Sequence, residues 1–162
     1  MASTITAATL TVTHSESITL NGQEQGNTNT FTIASIKDIS KRLVTIAADD
    51  DATVLVFKST TAIADGALDK ENVKYIRITN LDDTNSVNVS LQLDSDEDNS
   101  TADLSVTHLI EAGRSFIMGT PDEAVHANDD AAGIVTALTD LESIIVDPGS
   151  NAGAVEVFTA SI

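Results

Sequence analysis

The side chains able to do chemistry in this sequence are few and badly spaced for it. Its three histidines, His14, His108 and His126, lie far apart, and no serine or carboxylate is arranged around His108 to complete a nucleophilic triad. His108 keeps step with Val106 and Ile110 in an alternating run, which reads as an imidazole facing a core or an interface and not as a general base. There is no cysteine, so disulfides, thiolate metal sites and cysteine nucleophiles are excluded. Zinc ligation needs a dense cluster of ligands, which three scattered histidines do not make. Glycine-rich phosphate loops are absent.

Hard oxygen ligands are concentrated in Asp94-Ser95-Asp96-Glu97-Asp98-Asn99. Alternating carboxylates in a loop suit calcium, which makes Asp94, Asp96 and Asp98 the best metal candidates. The run fails the EF-hand pattern: Asn99 stands where the sixth-position Gly is needed and Ser105 where the twelfth-position Glu is needed. A solvated acidic tip is the simpler reading, as it is for Asp49-Asp50-Asp51 and Asp129-Asp130. Paired carboxylates for glycoside hydrolysis are set in space and not in sequence, but sugar platforms need aromatic rings, and the chain has one Tyr and no Trp. Asn88-Val89-Ser90 and Asn99-Ser100-Thr101 match the glycosylation pattern by chance if no secretion signal accompanies them. The expectation is a non-enzymatic protein with no cofactor.

The elements around these residues read as short strands. Val73 to Leu93 carries two of them joined by the polar turn Asn80-Leu81-Asp82-Asp83-Thr84-Asn85, a hairpin on this reading; Val87, Val89, Leu91 and Leu93 alternate with Asn88, Ser90, Gln92 and Asp94. Further strands are expected over Thr4 to Thr13, Ser17 to Leu20, Phe31 to Ile36, Leu43 to Ala47, Thr53 to Lys58, Leu104 to Ile110 and Ser115 to Met118, with turns at Asn21-Gly22 and Ala112-Gly113. A last hairpin is expected from Leu141 to Ile162 around Asp147-Pro148-Gly149-Ser150-Asn151. Thr120-Pro121-Asp122-Glu123 carries a capping-box signature for one short helix near Pro121 to Ala127, and Gly133 to Leu141 fits helix or strand equally. With five aromatic residues, the core must come from Val, Ile, Leu and Ala. The fold class is therefore all-β, a β-sandwich of jelly-roll type with one short helix, spanning residues 1–162 as a single domain.

Charge is the strongest compositional signal, with 25 acidic against 8 basic residues and a net charge of −17. Up to Ala48, Glu16, Glu24 and Asp38 balance Lys37, Lys41 and Arg42, so the entire excess lies beyond, and no Lys or Arg follows Arg114. Such a surface repels phosphate, which argues against nucleic acid as a partner. Met1 to Thr4 lacks the start of a secretory signal, and no stretch is long and apolar enough for a membrane span, so no membrane partner is expected either. Lys37, Lys41 and Arg42 form the single basic cluster. They make the N-terminal third the candidate attachment segment, with a loop presenting them to an acidic partner.

Taken together, Val73-Lys74-Tyr75-Ile76-Arg77-Ile78-Thr79-Asn80 with Thr84-Asn85-Ser86-Val87, then His108-Leu109-Ile110-Glu111-Ala112-Gly113-Arg114-Ser115-Phe116, then Glu156-Val157-Phe158-Thr159-Ala160-Ser161 resemble small β-sandwich virion proteins of tailed bacteriophages, marine and cyanobacterial phages in particular. The resemblance covers roughly the C-terminal two-thirds. It implies a structural protein assembled in the host cytoplasm and located in the virion, most simply a capsid decoration or cement protein on the outer head surface. Its partners would be the major capsid protein or another virion protein, and a homo-oligomer, a trimer by preference. A neck, tail or fibre-attachment component is the alternative, and a carbohydrate- or calcium-binding module is a more distant one.

Overall fold

The computed structural model describes residues 5–59, 66–93, 104–127 and 137–162. Chain order gives thirteen strands: β1 (Ala8–Ser15), β2 (Thr19–Leu20), β3 (Gln23–Glu24), β4 (Thr28–Ile36), β5 (Asp38–Ile46), β6 (Ala52–Lys58), β7 (Leu68–Asp69), β8 (Val73–Asn80), β9 (Val87–Leu93), β10 (Leu104–Ile110), β11 (Ser115–Met118), β12 (Leu141–Asp147) and β13 (Gly153–Ser161).

Strands β5 to β13 make a sandwich of two sheets, ordered β11-β8-β13-β5 and β10-β9-β12-β6-β7. With the two-residue β7 set aside, the eight remaining strands pair antiparallel as a nested set: β5 with β13, β6 with β12, β8 with β11, and β9 with β10. The inner contacts β8–β13 and β9–β12 then close each sheet. A long chain folded back at its middle and rolled into two layers gives this pairing, which defines a jelly roll.

The alternation that predicts strands also fills the core. Val87, Val89, Leu91 and Leu93 of β9 are all buried, as are Ile144 and Val146 of β12, Ile76 and Ile78 of β8, and Val155 and Val157 of β13. Each fully buried Val, Ile or Leu contributes about 1.5–3 kcal/mol relative to exposure. Bulges interrupt the pattern in β12 and at the end of β13; in the latter, Ala160 pairs with Tyr75 but Ser161 with Val73, which lets Val73 and Ile76 both point inward although they are an odd number of residues apart.

Two of the expected hairpins are not hairpins. β8 and β9 belong to different sheets, and so do β12 and β13; the polar turns between them are arches that carry the chain across the sandwich. Asn80 fixes the first arch. Fully buried, its side-chain amide donates to the carbonyls of Asn85 (2.8 Å) and Ile110 (3.2 Å), while its Oδ1 accepts from the Asp82 N–H. A period of two says which side chains face inward but not which strand is the partner, and that choice belongs to long-range packing.

The short helix expected near Pro121 to Ala127 is also absent; the segment is a turn followed by an isolated bridge between Val125 and Thr139. Thr120 Oγ1 does accept from the Asp122 N–H (3.1 Å), as a cap would, but Glu123 has a φ of 43° and leaves the helical region at once. Thr139 and the Asp140 carboxylate then take the N–H groups that a helix would have used.

Outside this sandwich lies a long hairpin. β1 pairs with β4, and the short pair β2–β3 continues it to a tight turn at Asn21-Gly22, both with positive φ (52° and 77°) as the sequence predicts for that dipeptide. A bulge near its base places Ser35 at φ 65° and allows Ile33 and Ile36 to face the sandwich together.

Candidate functional site

Along β13 the outward-facing side chains are Ala154, Glu156, Phe158 and Ala160, and register sets their neighbours. Phe158 stands beside Arg77 on β8 and Lys41 on β5, with Ile117 of β11 opposite Arg77. One row further, Glu156 lies between Thr79 and Leu43, with Ser115 opposite Thr79. Toward the other end, Ala160 lies between Tyr75 and Ile39. The outer face of the four-stranded sheet thus holds apolar groups around a charged centre.

That centre is Glu156. Its carboxylate takes Lys41 Nζ at 2.9 Å and the Arg77 guanidinium on the other side, while Arg77 also lies 5.8 Å from the centre of the Phe158 ring. The hydrogen bond from Lys41 holds the Glu156 carboxyl below the usual glutamate range, and the two positive charges reinforce it against the opposing effect of burial.

The N-terminal hairpin divides this face into a covered and a bare half. Val12, Ile36, Tyr75 and Ala160 form a small second core, supported by Leu10, Ile33 and Phe158. Where β1 passes over β8 and β11 it leaves a groove of about 390 Å³, walled by Leu10 to His14 on one side and by Tyr75, Arg77, Ile117 and Phe158 on the other. The β5 half is uncovered: Ile39 is 54% and Leu43 68% exposed, with Lys41 between them.

The three basic residues of the predicted cluster do not share a surface, nor does a loop carry them. Lys41 and Arg42 are neighbours within β5 and therefore point to opposite faces. Lys41 joins the outer face, whereas the Arg42 guanidinium donates to the Val54 carbonyl of the opposite sheet and bridges the open side of the sandwich. Lys37 sits exposed at the junction of β4 and β5, its N–H bonded to the Ser161 carbonyl (2.8 Å). The bare apolar pair Ile39 and Leu43 was legible in principle, because β5 carries apolar residues on both parities, Val44 and Ile46 inward against Ile39 and Leu43 outward.

The histidines stay apart. His14 stacks on Phe31 across the hairpin (6.1 Å), His126 Nδ1 lies 3.3 Å from Thr139 Oγ1, and His108 stacks on Phe116 (5.4 Å). His108 shares the inward parity of Val106 and Ile110, but its place on an edge strand leaves it exposed over the seam between the sheets. Asp94, Asp96 and Asp98 lie outside the described residues. Among the described residues, no three His, Asp or Glu groups converge as metal ligands do.

Compared with known proteins, the sequence matches no family model and no curated protein. Among solved structures it is similar to a chain of the disulfide-linked pili of Bacillus endospore appendages, with 12% identity over 76% of this chain and 85% of that one, at a TM-score of 0.37.

Proposed function

We propose that this protein is a non-enzymatic structural component that attaches to a larger protein shell, in its most specific form a decoration protein on the outer surface of a tailed-phage capsid. The observation that supports attachment is the bare β5 half of the outer face, where Ile39 and Leu43 flank Lys41 in the charge-balanced part of an otherwise acidic chain. Exposed aliphatic residues with a basic centre suit a protein partner of complementary charge: the apolar pair supplies affinity, and Lys41 steers encounter. The acidic remainder then faces solvent and keeps bound copies soluble. The virion setting rests on the sequence resemblance.

The test is co-sedimentation with undecorated shells of the source particle. The double variant Ile39→Asp, Leu43→Asp should lose shell binding by at least tenfold while its melting temperature changes little, since both side chains are exposed. Unchanged binding would place the contact elsewhere. Arg42→Glu is unsuited to this test because it breaks the bridge to Val54.

A further inference from the structure

We infer that this chain self-associates head to tail, strand β4 of one copy's N-terminal hairpin adding to the edge of strand β10 in the next, an edge that is open among the described residues. The inference goes beyond the attachment to a shell and stands without it.

Edge strands invite pairing unless they are guarded, and charged residues, lysine above all, are the usual guards. Strand β5, the edge of one sheet, is guarded by Lys41 and Arg42. At the other side of the sandwich, β10 pairs only with β9 among the described residues, and its seven residues Leu104-Ser105-Val106-Thr107-His108-Leu109-Ile110 contain no Asp, Glu, Lys or Arg. Leu109 on its outer surface is 65% exposed. A long unguarded edge is a strand-addition site.

The occupant follows from charge. Two copies each carrying −17 repel wherever their acidic parts approach. The long strands of the hairpin are the exception: β1 and β4, Ala8–Ser15 and Thr28–Ile36, contain no Asp, Glu, Lys or Arg, and the hairpin's two acids, Glu16 and Glu24, lie toward its tip. Strand β4 pairs only with β1 among the described residues, which leave its second edge open. Every residue from Ser15 to Thr32 is exposed except Gly26, so this part of the hairpin gains no packing from its own sandwich. Its outward side is a row of hydroxyls, with Thr13 bonded to Thr30 (3.1 Å) and Ser15 to Thr28 (2.9 Å).

Laying β4 on a neighbour's β10 brings together two uncharged strands of high β-propensity and holds the acidic sandwiches apart by the hairpin. Pairing β10 with β10 of a second copy would instead set Glu111 and the acidic bodies side by side. Because the two surfaces differ, the contact is heterologous and propagates into a ring or an open chain.

The absence of cysteine allows a direct test. Copies carrying Thr107→Cys are mixed under mild oxidation with size-tagged copies carrying Thr28→Cys, Thr30→Cys or Thr32→Cys, paired strands being close enough for a disulfide. The expected product is a disulfide between unlike copies for at least one hairpin position, reduced about tenfold by adding Leu109→Lys to the Thr107→Cys copy, a guard of the kind β5 already carries. Sedimentation velocity of the unmodified chain should show association that strengthens with salt, as screening relieves the repulsion. Cross-links only between like copies, or no cross-link with a monomer at every concentration and salt, would overturn the inference.

Discussion

Strand β9 and strand β4 are built from similar residues and meet opposite fates. Along β9 every second side chain is buried; along β4, where Phe31, Ile33 and Ile36 are the large apolar groups, only Ile36 is. The difference is what lies on either side. Strand β9 has a hydrogen-bonded neighbour at both edges and a second sheet over its apolar face, whereas β4 has, among the described residues, one neighbour and a thin contact through Val12, Ile36, Tyr75 and Ala160. Alternation earns stability only where a second layer receives it, and a two-stranded hairpin is marginal in water without such a layer. The sandwich is therefore the cooperative unit, and the hairpin depends on its narrow footing and on whatever binds it.

The sharpest way to break this comparison is to place a carboxylate on each face of β9. Val89→Asp puts an unpaired acid at a position with no exposure and should cost several kcal/mol, on the order of the whole stability of a domain. Asn88→Asp, on the half-exposed parity, should shift the melting temperature by a few degrees at most. Equal melting temperatures would show that the register is wrong.

Val12→Asp should have a smaller and more local effect. It removes the footing of the hairpin, so amide exchange in residues 8–36 should accelerate strongly while β9, β12 and β13 keep their protection. Loss of protection throughout would mean that the hairpin and the sandwich fold as one unit.

Smaller again is Gly26→Ala, confined to the hairpin tip. A Cβ there would sit 2.1 Å from the Glu16 carbonyl oxygen, and the Glu24 carboxylate, which now accepts from the N–H groups of Ile18 (3.0 Å) and Gly26 (2.8 Å), would lose its grip. Faster exchange at residues 16–27 with an unchanged melting temperature is expected; a lowered melting temperature would contradict the separation of tip and body.

The mildest effect concerns pH. Because the folded-state pKa of Glu156 is depressed by Lys41 and Arg77, its stabilising contribution is complete above the ordinary value of 4.5 and is lost as the pH falls through the folded value. Asp82 behaves alike below 3.8, held by the N–H groups of Asn85 and Thr84. Glu156→Gln should flatten the acid limb of a melting-temperature profile and leave the neutral limb level. An unaltered acid limb would show that the ion pairs of the outer face contribute nothing measurable to the fold.

Much of this architecture was written locally. The alternation in β9, the Asn21-Gly22 turn and the absence of thiol chemistry follow from residue types and a period of two, which the backbone imposes on any strand. The jelly-roll class followed from counting such strands. Partner choice was not local: the chain reads the same whether β8 and β9 pair as a hairpin or part as an arch, and the buried Asn80 that settles the matter acts through Ile110, thirty residues away. The capping box at Thr120 lost to Thr139 and Asp140 for the same reason, since a distant segment offered its N–H groups better partners than a helix could. Lys41 and Arg42 looked like one basic cluster because sequence adjacency is visible and facing direction in a strand of unknown partner is not. Composition and periodicity determined that this is a β-sandwich of acidic surface; only the tertiary structure decided which strands were left with a bare face or an open edge, because exposure is a property of what the rest of the chain fails to cover.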